Sequence, residues 1–365
     1  MTVYLLAGGG TAGHVNPLLA TADALRAREP EATILVLGTA EGLEARLVPA
    51  RGYELLLVAR LPFPRRPGMA ALRFPGRWRA AVGSVRSMLR ERRVDVVVGF
   101  GGYASAPAYR AARAEGIPLA VHEQNAKPGF ANRLGARLTR FVGVTFASTR
   151  LPHARVVGMP LRREIENLDV PSARIQARAA FGLDDRRPTL LVTGGSTGAK
   201  RLNESVAASI GALLGSGWQV LHITGSRSPV PDPGLDGYRI VEYSDRMELA
   251  LAVADLAVSR AGAATVAELE ALGIPAVFVP YAVGNGEQAH NARDAVEAGG
   301  AIVVTDAAFS PEYVSAALPP LLADRARLAD MAARMAAIGR RDGAERMADL
   351  VAEALAGRAS AVAGD

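Results

Sequence analysis

Short apolar runs alternate with helical stretches along the whole of this chain. Such alternation is typical of parallel β-sheets whose strands are joined by crossover helices. Five runs lie in the first half and six in the second: residues 3–7, 33–37, 94–99, 119–122 and 141–144, then 189–193, 219–224, 239–241, 256–259, 276–279 and 301–304. Each half has enough strands for its own sheet, so the predicted class is α/β with two doubly wound parallel sheets.

The boundary between the halves is predicted near residue 160. A Gly/Pro turn, Val157-Gly-Met-Pro-Leu161, follows the strands of the first half, and a charged stretch without a strand pattern continues to Arg187. Because no low-complexity linker separates the halves, we expect two lobes that share a cleft. The predicted domains are residues 1–160 and 161–340, followed by a helix and tail over 341–365. Within the C-terminal part, 332–355 is predicted as helix and 356–365 as a frayed tail.

Two glycine-rich turns each follow an apolar run and open a helical stretch. The first is Gly9-Gly-Thr-Ala-Gly-His14 and the second is Gly194-Gly-Ser-Thr-Gly-Ala199. Glycine permits positive φ and close backbone approach, and the N–H groups that begin the next helix favour a phosphate. The pair therefore indicates two related phosphate-binding turns. A tight strand-to-helix turn without a ligand is the alternative interpretation of either one.

Residue patterns argue against several common chemistries. A P-loop needs Gly directly before its Lys, but Ala199 precedes Lys200 here. The dinucleotide fingerprint fits Gly8-x-Gly10-x-x-Gly13, yet no acid ends the next strand, and the nearest is Glu41. A nicotinamide enzyme is therefore left without support. The chain has no cysteine, and its five histidines lack metal-ligand spacing, so thiol nucleophiles are excluded and no metal site is expected.

A third cluster places an acid behind small residues at a strand end. In Ser259-Arg-Ala-Gly-Ala-Ala-Thr-Val-Ala-Glu268, a turn leaves a strand and opens a helix. A carboxylate there can accept both hydroxyls of a ribose, while the small residues admit a nucleotide against the backbone. Further on, Gly284-Asn-Gly-Glu-Gln-Ala-His-Asn291 offers an acid and amides to sugar hydroxyls. Helix capping is the alternative role for Glu268.

Charge is distributed unevenly along the chain. The net charge is +12 over residues 1–160 and −6 over the rest. The stretch from Arg60 to Arg93 holds ten arginines against one acid, Glu91, with apolar residues such as Phe63, Leu72 and Trp78 among them. Arginine beside exposed apolar side chains favours an anionic membrane surface over nucleic acid. A solvated basic face without any partner is the alternative. No apolar run reaches about 18 residues, so no transmembrane helix is expected. The first seven residues run straight into Gly8-Gly-Gly10, too short an apolar stretch for a signal peptide, and lack a basic leader, so none is expected.

Six segments, in this order, resemble the MurG family of glycosyltransferases (glycosyltransferase family 28) over nearly the whole chain: residues 6–17, 122–133, 158–162, 194–199, 262–268 and 287–291. The resemblance implies a GT-B fold, in which two Rossmann-like domains face a central cleft and the C-terminal helix returns to the first domain. It implies transfer of N-acetylglucosamine from UDP-N-acetylglucosamine to the 4-hydroxyl of the muramoyl sugar of undecaprenyl-diphospho-muramoyl-pentapeptide (lipid I), which gives lipid II for peptidoglycan synthesis. It also implies a peripheral protein on the cytoplasmic side of the cell membrane, without a cofactor.

Carried over position by position, the resemblance assigns UDP-N-acetylglucosamine to a set of residues in both halves: Thr11, Ala12, Gly13, Asn125, Arg162, Ser196, Ser244, Ala263, Ala264, Thr265, Val266, Ala267, Glu268, Gln288 and Asn291. Ser196 and Arg162 are expected to hold the diphosphate, Glu268 the ribose, and the backbone near Ser244 the uracil. Gln288 and Asn291 are expected to bond the sugar hydroxyls, which disfavours the wrong epimer by about 1–3 kcal/mol.

Three positions depart from the family pattern. Ala12 stands where the family usually has Gly, Met159 where it usually has Asn, and Thr197 where it commonly has Gln. The methyl group of Ala12 bears on the phosphate turn, since it would crowd the acceptor's diphosphate. Met159 and Thr197 bear on specificity rather than on the class of reaction.

The expected reaction is an inverting single displacement, in which the muramoyl 4-hydroxyl attacks the anomeric carbon and UDP leaves. One-step inversion needs a base for the hydroxyl proton and positive potential for the diphosphate. His14 is the leading candidate base because imidazole titrates near neutral pH. Glu123 and Glu268 are the other titratable candidates.

Four other activities are compatible with parts of this pattern, because a fold does not decide a function. A different GT-B transferase would use a soluble or glycolipid acceptor, and a UDP-sugar epimerase would need no acceptor. A nicotinamide-dependent oxidoreductase would show changes in cofactor fluorescence. A nucleotide-sugar-binding or scaffold protein would bind without turnover.

Overall fold

The computed structural model describes residues 1–64, 66, 68–195, 198–281 and 286–362, the last five by their backbone alone. The chain forms two units. Unit 1 comprises Met1–Arg162 together with the chain from Asp342 onward, and unit 2 comprises Arg163–Arg341. Unit 2 is therefore inserted into unit 1, and the chain passes between them twice.

Unit 1 is a seven-stranded parallel sheet with helices on both faces. Its strands are β1 Val3–Ala7, β2 Thr33–Gly38, β3 Glu54–Leu57, β4 Val96–Gly99, β5 Leu119–Glu123, β6 Phe141–Val144 and β7 Ala154–Val156. Its helices are α1 Ala12–Arg28, α2 Glu44–Ala50, α3 Met69–Glu91, α4 Ser105–Ala114, α5 Phe130–Gly135 and, after unit 2, α16 Gly343–Val362. The strand order is β3-β2-β1-β4-β5-β6-β7.

Unit 2 is a six-stranded parallel sheet in the order β10-β9-β8-β11-β12-β13. Its strands are β8 Thr189–Thr193, β9 Gln219–Ile223, β10 Tyr238–Val241, β11 Leu256–Ser259, β12 Ala276–Phe278 and β13 Ala301–Val303. Its helices are α6 Arg163–Glu166, α7 Val170–Phe181, α8 Lys200–Ala208, α9 Ile210–Gly215, α10 Met247–Val253, α11 Ala263–Leu272, α12 Glu287–Asn291, α13 Arg293–Glu297, α14 Pro311–Ala323 and α15 Arg325–Ile338. The prediction of two doubly wound parallel sheets is confirmed.

The alternation of side chains along the strands divides the core of unit 1 into two layers. Leu5 of β1 lies opposite Leu35 of β2 and Val97 of β4, and all three pack under α3 and α4. The next residue of β1, Leu6, points to the other face, under α1 and α16. Because both faces are covered, these strands are apolar throughout, which explains why they could be recognised as continuous runs.

Two edge strands of unit 1 were not predicted. Neither the four-residue β3 nor the three-residue β7 has a fully buried residue, and β7 contains Arg155. An edge strand is hydrogen-bonded on one side only and needs no apolar face. Its sequence therefore shows only a weak apolar pattern. The apolar residues 55–58 are the signal that could have revealed β3.

The stretch 332–355, predicted as helical, is helical except for a break, because α15 ends at Ile338 and α16 begins at Gly343. A Cβ atom at Gly339 would overlap the carbonyl oxygen of Glu270, and one at Gly343 would overlap that of Met159. Glycine is therefore needed where the chain leaves unit 2 and again where it rejoins unit 1. The expected frayed tail is also helical as far as Val362. None of the described helices is both long and apolar enough to cross a bilayer.

Candidate active site

Both sheets reverse their strand order at one point, between β1 and β4 in unit 1 and between β8 and β11 in unit 2. In open parallel sheets, ligands bind outside the carboxyl ends of the strands at such a switch point. The glycine turns predicted from the sequence follow β1 and β8, and the cluster that ends in Glu268 follows β11. The fold thus places these three motifs at the two switch points.

In unit 1, the loops after β1 and β4 touch. Gly10 has a φ of +94°, and Gly102 has a φ of +85°, both in the region that favours glycine. A Cβ atom on Gly102 would lie 2.5 Å from the carbonyl oxygen of Gly9. The two loops can pack this closely because residue 102 has no side chain. The first loop leads into α1, whose N-cap residue is Thr11 and whose first residue is Ala12.

His14 lies in the first turn of α1, close to Gly101 in the loop after β4. Its Nδ1 is 3.0 Å from Oγ1 of Thr11, and its ring lies within 3.3 Å of the position that a Cβ atom on Gly101 would occupy. Burial lowers the pKa of His14, and the charge of Glu44 partly opposes that shift. A neutral imidazole can take a proton, so the local environment suits the role predicted for His14.

Glu123, the other candidate in unit 1, already has partners on both carboxylate oxygens. Oε1 accepts the N–H of Asn125 at 2.9 Å, and Oε2 accepts the N–H of Gly129 at 2.9 Å and Nδ2 of Asn132 at 3.0 Å. Burial raises the pKa of Glu123 above its ordinary value, and these hydrogen bonds only partly oppose that shift. The carboxylate therefore fixes the loop that follows β5, which carries Asn125. Asn132 was missed by sequence reasoning, and it also accepts the hydroxyl of Tyr109 at 2.7 Å.

Glu44 was also missed by the sequence analysis, although it is fully buried at the start of α2. Its carboxylate accepts the N–H of Gly10 at 2.8 Å, the N–H of Thr39 at 2.8 Å and the hydroxyl of Thr39 at 2.9 Å. No motif marks this residue, and its partners lie in two separate loops. A glutamate that follows a strand by a few residues looks in sequence like an ordinary first-turn acid.

In unit 2, the glycine turn after β8 is described except for Ser196 and Thr197. Those two predicted positions lie outside the described residues. Gly195 and Gly198 have φ values of +88° and +82°, and a Cβ atom on Gly198 would overlap the carbonyl oxygen of Thr224. Both glycines are thus required by the backbone, as the pattern indicated. The turn leads into α8, whose first residue is Lys200.

A buried arginine joins the loops after β11, β12 and β13. Nη1 of Arg260 donates to the carbonyl oxygen of Val279 at 2.9 Å and to Oδ1 of Asp306 at 2.5 Å. Its guanidinium lies 5.3 Å from the ring centroid of Tyr281. Asp306 also pairs with Arg201 of α8, at 3.4 Å. Sequence reasoning missed this network because its members lie far apart in the chain.

The predicted donor-binding residues 263–268, Gln288 and Asn291 lie in the helices that follow β11 and β12. Gly262 is the N-cap of α11, so Ala263, Ala264 and Thr265 form its first turn, followed by Val266, Ala267 and the half-buried Glu268. Oε1 of Gln288 accepts the N–H of Tyr281 at 2.9 Å, and Nδ2 of Asn291 donates to the carbonyl oxygen of Ala261 at 3.2 Å. These two amides thus hold the loops after β12 and β11. The predicted positions Gly284 and Asn285 lie outside the described residues.

Two predicted positions lie elsewhere. Ser244 follows β10, and its hydroxyl accepts the N–H of Arg246 at 3.2 Å. Arg162 is half-buried and is the last residue of unit 1 before the chain enters unit 2. The sequence-based expectation for Arg162, contact with the diphosphate, stays a prediction.

A cavity of about 990 Å³ opens in unit 2 beside the glycine turn. Gly194, Arg260, Tyr281 and Gln288 line it, together with Lys200 and Arg201 at the start of α8. A volume of this size holds a nucleotide-sized ligand. Its lining holds three cationic side chains against two acids, Glu204 and Asp306, with which they pair. The one excess positive charge and the N-terminus of α8 favour a diphosphate. Among the described residues, no group of three or more histidine, aspartate or glutamate side chains is placed to bind a metal ion.

Two protein-family models match the chain. Residues 4–144 match the family model of the Glycosyltransferase family 28 N-terminal domain, and residues 189–347 match that of the Glycosyltransferase family 28 C-terminal domain. The two matches fall in units 1 and 2, and the second extends into α16.

Similar proteins cover nearly the whole chain. The chain is 64% identical over 361 residues to the UDP-N-acetylglucosamine--N-acetylmuramyl-(pentapeptide) pyrophosphoryl-undecaprenol N-acetylglucosamine transferase of Clavibacter sepedonicus, covering 99% of this chain and 98% of the relative. It is 48% identical to the Streptomyces coelicolor protein of the same name, over 97% of this chain and 99% of that protein. The crystal structure of Acinetobacter baumannii MurG matches with a TM-score of 0.79 at 28% identity, covering 97% of this chain and all of that one. The calicheamicin glycosyltransferase CalG4 shares the fold, with a TM-score of 0.68 at 20% identity over 98% of this chain and 99% of that one.

Proposed function

Since this chain belongs to glycosyltransferase family 28, we propose that it transfers N-acetylglucosamine from UDP-N-acetylglucosamine to the lipid-linked N-acetylmuramyl-pentapeptide. The match to a transferase of that name over 99% of this chain at 64% identity carries this conclusion. The acceptor is undecaprenyl-diphospho-muramoyl-pentapeptide, and the product is the disaccharide lipid used for peptidoglycan. The chain is thus a UDP-sugar glycosyltransferase.

The donor is proposed to bind at the switch point of unit 2. Three observations support this: the glycine turn that opens α8, the cavity beside it, and the buried Arg260 in its wall. The diphosphate would lie against the start of α8, where N–H groups and Lys200 offer positive charge. Glu268 would hold the ribose hydroxyls from the second turn of α11.

The acceptor is proposed to meet His14 in unit 1. The base takes the proton of the muramoyl 4-hydroxyl as that oxygen attacks the anomeric carbon, and UDP leaves with the bonding electrons. Because one bond forms as the other breaks on the opposite side, the anomeric configuration inverts. Burial keeps His14 neutral, and its position behind the loops after β1 and β4 supports this role. The engagement of both Glu123 oxygens favours His14 over Glu123.

Transferase activity is expected to need the acceptor. UDP should appear rapidly from UDP-N-acetylglucosamine in detergent with a lipid I analogue, without added metal, and only slowly when the analogue is left out. A coupled assay for UDP measures both rates. Equal UDP release with and without the analogue would instead indicate hydrolysis. Loss of donor without UDP release would indicate epimerisation, and binding without turnover would contradict an enzymatic role.

Unit 1 also carries an exposed apolar patch, formed by Phe63, Met69, Leu72 and Phe130. Their exposed fractions are 55%, 61%, 77% and 60%. The ring of Phe63 lies between those of Phe74 and Phe130, with centroid distances of 5.1 and 4.8 Å. Three arginines near these residues in sequence are exposed: Arg66 shortly before α3, and Arg73 and Arg77 within its first three turns.

This patch is proposed to dock the protein on the anionic inner face of the cell membrane, where the acceptor's lipid lies. Aromatic and aliphatic side chains enter the lipid interface, and arginines beside them bind anionic headgroups at about 1 kcal/mol each. The protein would then be a peripheral membrane protein on the cytoplasmic side.

Reversing the charge of Arg66, Arg73 and Arg77 to Glu should weaken binding to anionic vesicles by at least about tenfold, since three attractive contacts become repulsive. Vesicle co-sedimentation at low and high salt measures this effect. The matched control reverses three exposed arginines of unit 2, Arg186, Arg327 and Arg340, and should bind nearly as the parent does. Equal binding by the two triple variants would contradict docking through the patch.

A further inference from the structure

We propose that Glu44 is a positioning residue of the transfer reaction: its buried carboxylate holds the glycine loop after β1 in the shape that presents His14 to the acceptor. This inference rests on the proposed role of His14 as the base. Glu44 itself is not placed against either substrate, so it acts through the loop and through its charge.

The first support is the set of hydrogen bonds that join two loops through one carboxylate. Oε2 of Glu44 accepts the N–H of Gly10, and Oε1 accepts both the N–H and the hydroxyl of Thr39. Gly10 belongs to the loop that opens α1, and Thr39 directly follows β2. The carboxylate therefore ties the glycine loop to the end of a neighbouring strand, a rigid part of the sheet.

The second support is a cradle of glycines that admits this side chain. A Cβ atom at Gly9, Gly38 or Gly42 would overlap the side chain of Glu44. At Gly38 and Gly42, φ is not in the region that favours glycine, so backbone conformation does not explain these residues. Glu44 fills the space that side chains at these three positions would otherwise occupy.

The hydrogen bond to Gly10 also changes the interpretation of the glycine loop. The N–H of Gly10 donates to the carboxylate of Glu44, so it does not serve a phosphate. A negative charge behind the loop opposes a second anion there. An arriving phosphate is therefore left with the N–H groups at the start of α1, and the loop after β1 serves to set the direction in which α1, with His14, begins.

Electrostatics couples the same carboxylate to His14. Burial alone would raise the pKa of Glu44, but its hydrogen bonds from Gly10 and Thr39 outweigh burial and lower it, so the group is ionised at neutral pH. For His14, burial lowers the pKa, and Glu44 is the one described charged group that acts against this shift. The side chain of Thr11, whose hydroxyl lies 3.0 Å from Nδ1 of the ring, is uncharged.

The test is Glu44→Gln, measured by acceptor kinetics across pH and by NMR titration of His14. The amide keeps the shape but must set its NH₂ against either Gly10 or Thr39, so one hydrogen bond is lost with the charge. We expect kcat/KM for the acceptor to fall by about tenfold or more, because small displacements of a catalytic group are costly. Loss of the negative charge should lower the pKa of His14 further and move the acidic limb of the pH profile to lower pH. Donor binding should stay as in the parent.

Glu29→Gln is the matched control. Glu29 follows α1 and lies at the amino end of β1, where it accepts the N–H of Thr2 at 3.0 Å and the hydroxyl of Tyr4 at 3.1 Å. It should leave both the acceptor kinetics and the titration of His14 unchanged. Glu44→Asp separates the two effects, since it keeps the charge but cannot reach both loops. We expect it to lose activity with little change in the acidic limb.

Thermal unfolding of each variant establishes that it is folded, and Glu44→Asp replaces Glu44→Gln if the latter is not. A folded Glu44→Gln variant with parental kinetics and an unmoved His14 titration overturns the proposal. In a second outcome, the NMR pKa of His14 shifts in Glu44→Gln but the acidic limb of the pH profile stays in place. That outcome overturns the role of His14 as base, and with it the positioning role of Glu44. Acceptor-dependent UDP release by the parent enzyme tests the transferase function separately.

Discussion

We expect the His14→Ala variant to lose about 10²–10⁴-fold in kcat, the usual contribution of a general base. The imidazole is the group placed to take the proton of the attacking hydroxyl, and alanine offers nothing in its place. UDP-N-acetylglucosamine should still bind nearly as in the parent, because its diphosphate and ribose are proposed to bind in unit 2. Steady-state kinetics with a lipid I analogue and calorimetry with the donor measure the two quantities.

His153→Asn is a control for removing an imidazole from unit 1. His153 is exposed and has a φ of +58°, a conformation that asparagine tolerates. It should retain parental turnover. If His14→Ala stays within a few-fold of the parent, His14 is not the base.

The pH profile gives a second signature of the same residue. Because burial lowers the pKa of His14, the parent's acidic limb should lie below the ordinary histidine pKa of about 6.5. Below that limb the imidazole is protonated and cannot accept a proton, so activity falls as pH decreases. In the pH profile of His14→Ala, the residual activity should no longer decrease across this pH range.

The second large effect is expected at Asp306. Asp306→Ala should lower the free energy of unfolding by about 3 kcal/mol, because it leaves the buried Arg260 without its counter-charge. The exposed fractions of the two side chains are 11% for Arg260 and 22% for Asp306. Since Arg260 lines the cavity, the KM for the donor should rise as well. Urea unfolding and donor kinetics measure the two effects.

Asp330→Ala is the matched control for Asp306→Ala. Asp330 pairs with Arg334 at 2.7 Å on the surface of α15, where both side chains are more than half exposed. Exposed pairs contribute about 0–1 kcal/mol, so little stability should be lost. Equal destabilisation by the two variants would show that burial of the Arg260–Asp306 pair does not matter.

The strands that form the two switch points were predictable because they are buried on both faces. Residues 3–7 are a continuous apolar run, residues 189–193 hold three apolar residues between two threonines, and glycine follows each segment. The glycines carried a second signal, since Gly10 and Gly198 adopt the positive φ that their pattern indicated. Local physics therefore fixed the elements on which the candidate site is built.

Contacts between distant segments could not be predicted in the same way. Arg260 and Asp306 are 46 residues apart, and Glu44 reaches Gly10 across 34 residues. In the sequence, Arg260, Asp306 and Glu44 each look like an ordinary surface charge. The break before α16 was missed for a similar reason, because the need for Gly339 arises from the backbone of Glu270 in another helix.

The insertion of unit 2 into unit 1 sets the order in which the ribosome completes them. By Arg341, every residue of unit 2 has been synthesised, whereas unit 1 still lacks α16. That helix contributes Met347, Val351 and Ala354 to the layer under α1. About 200 residues separate β7 from the end of α16. At about 5–20 residues per second, their synthesis takes about 10–40 seconds, and during that time this layer of unit 1 is incomplete. The unit that begins the chain is therefore the last to finish folding, and its nascent form is the stage at which a chaperone is most needed.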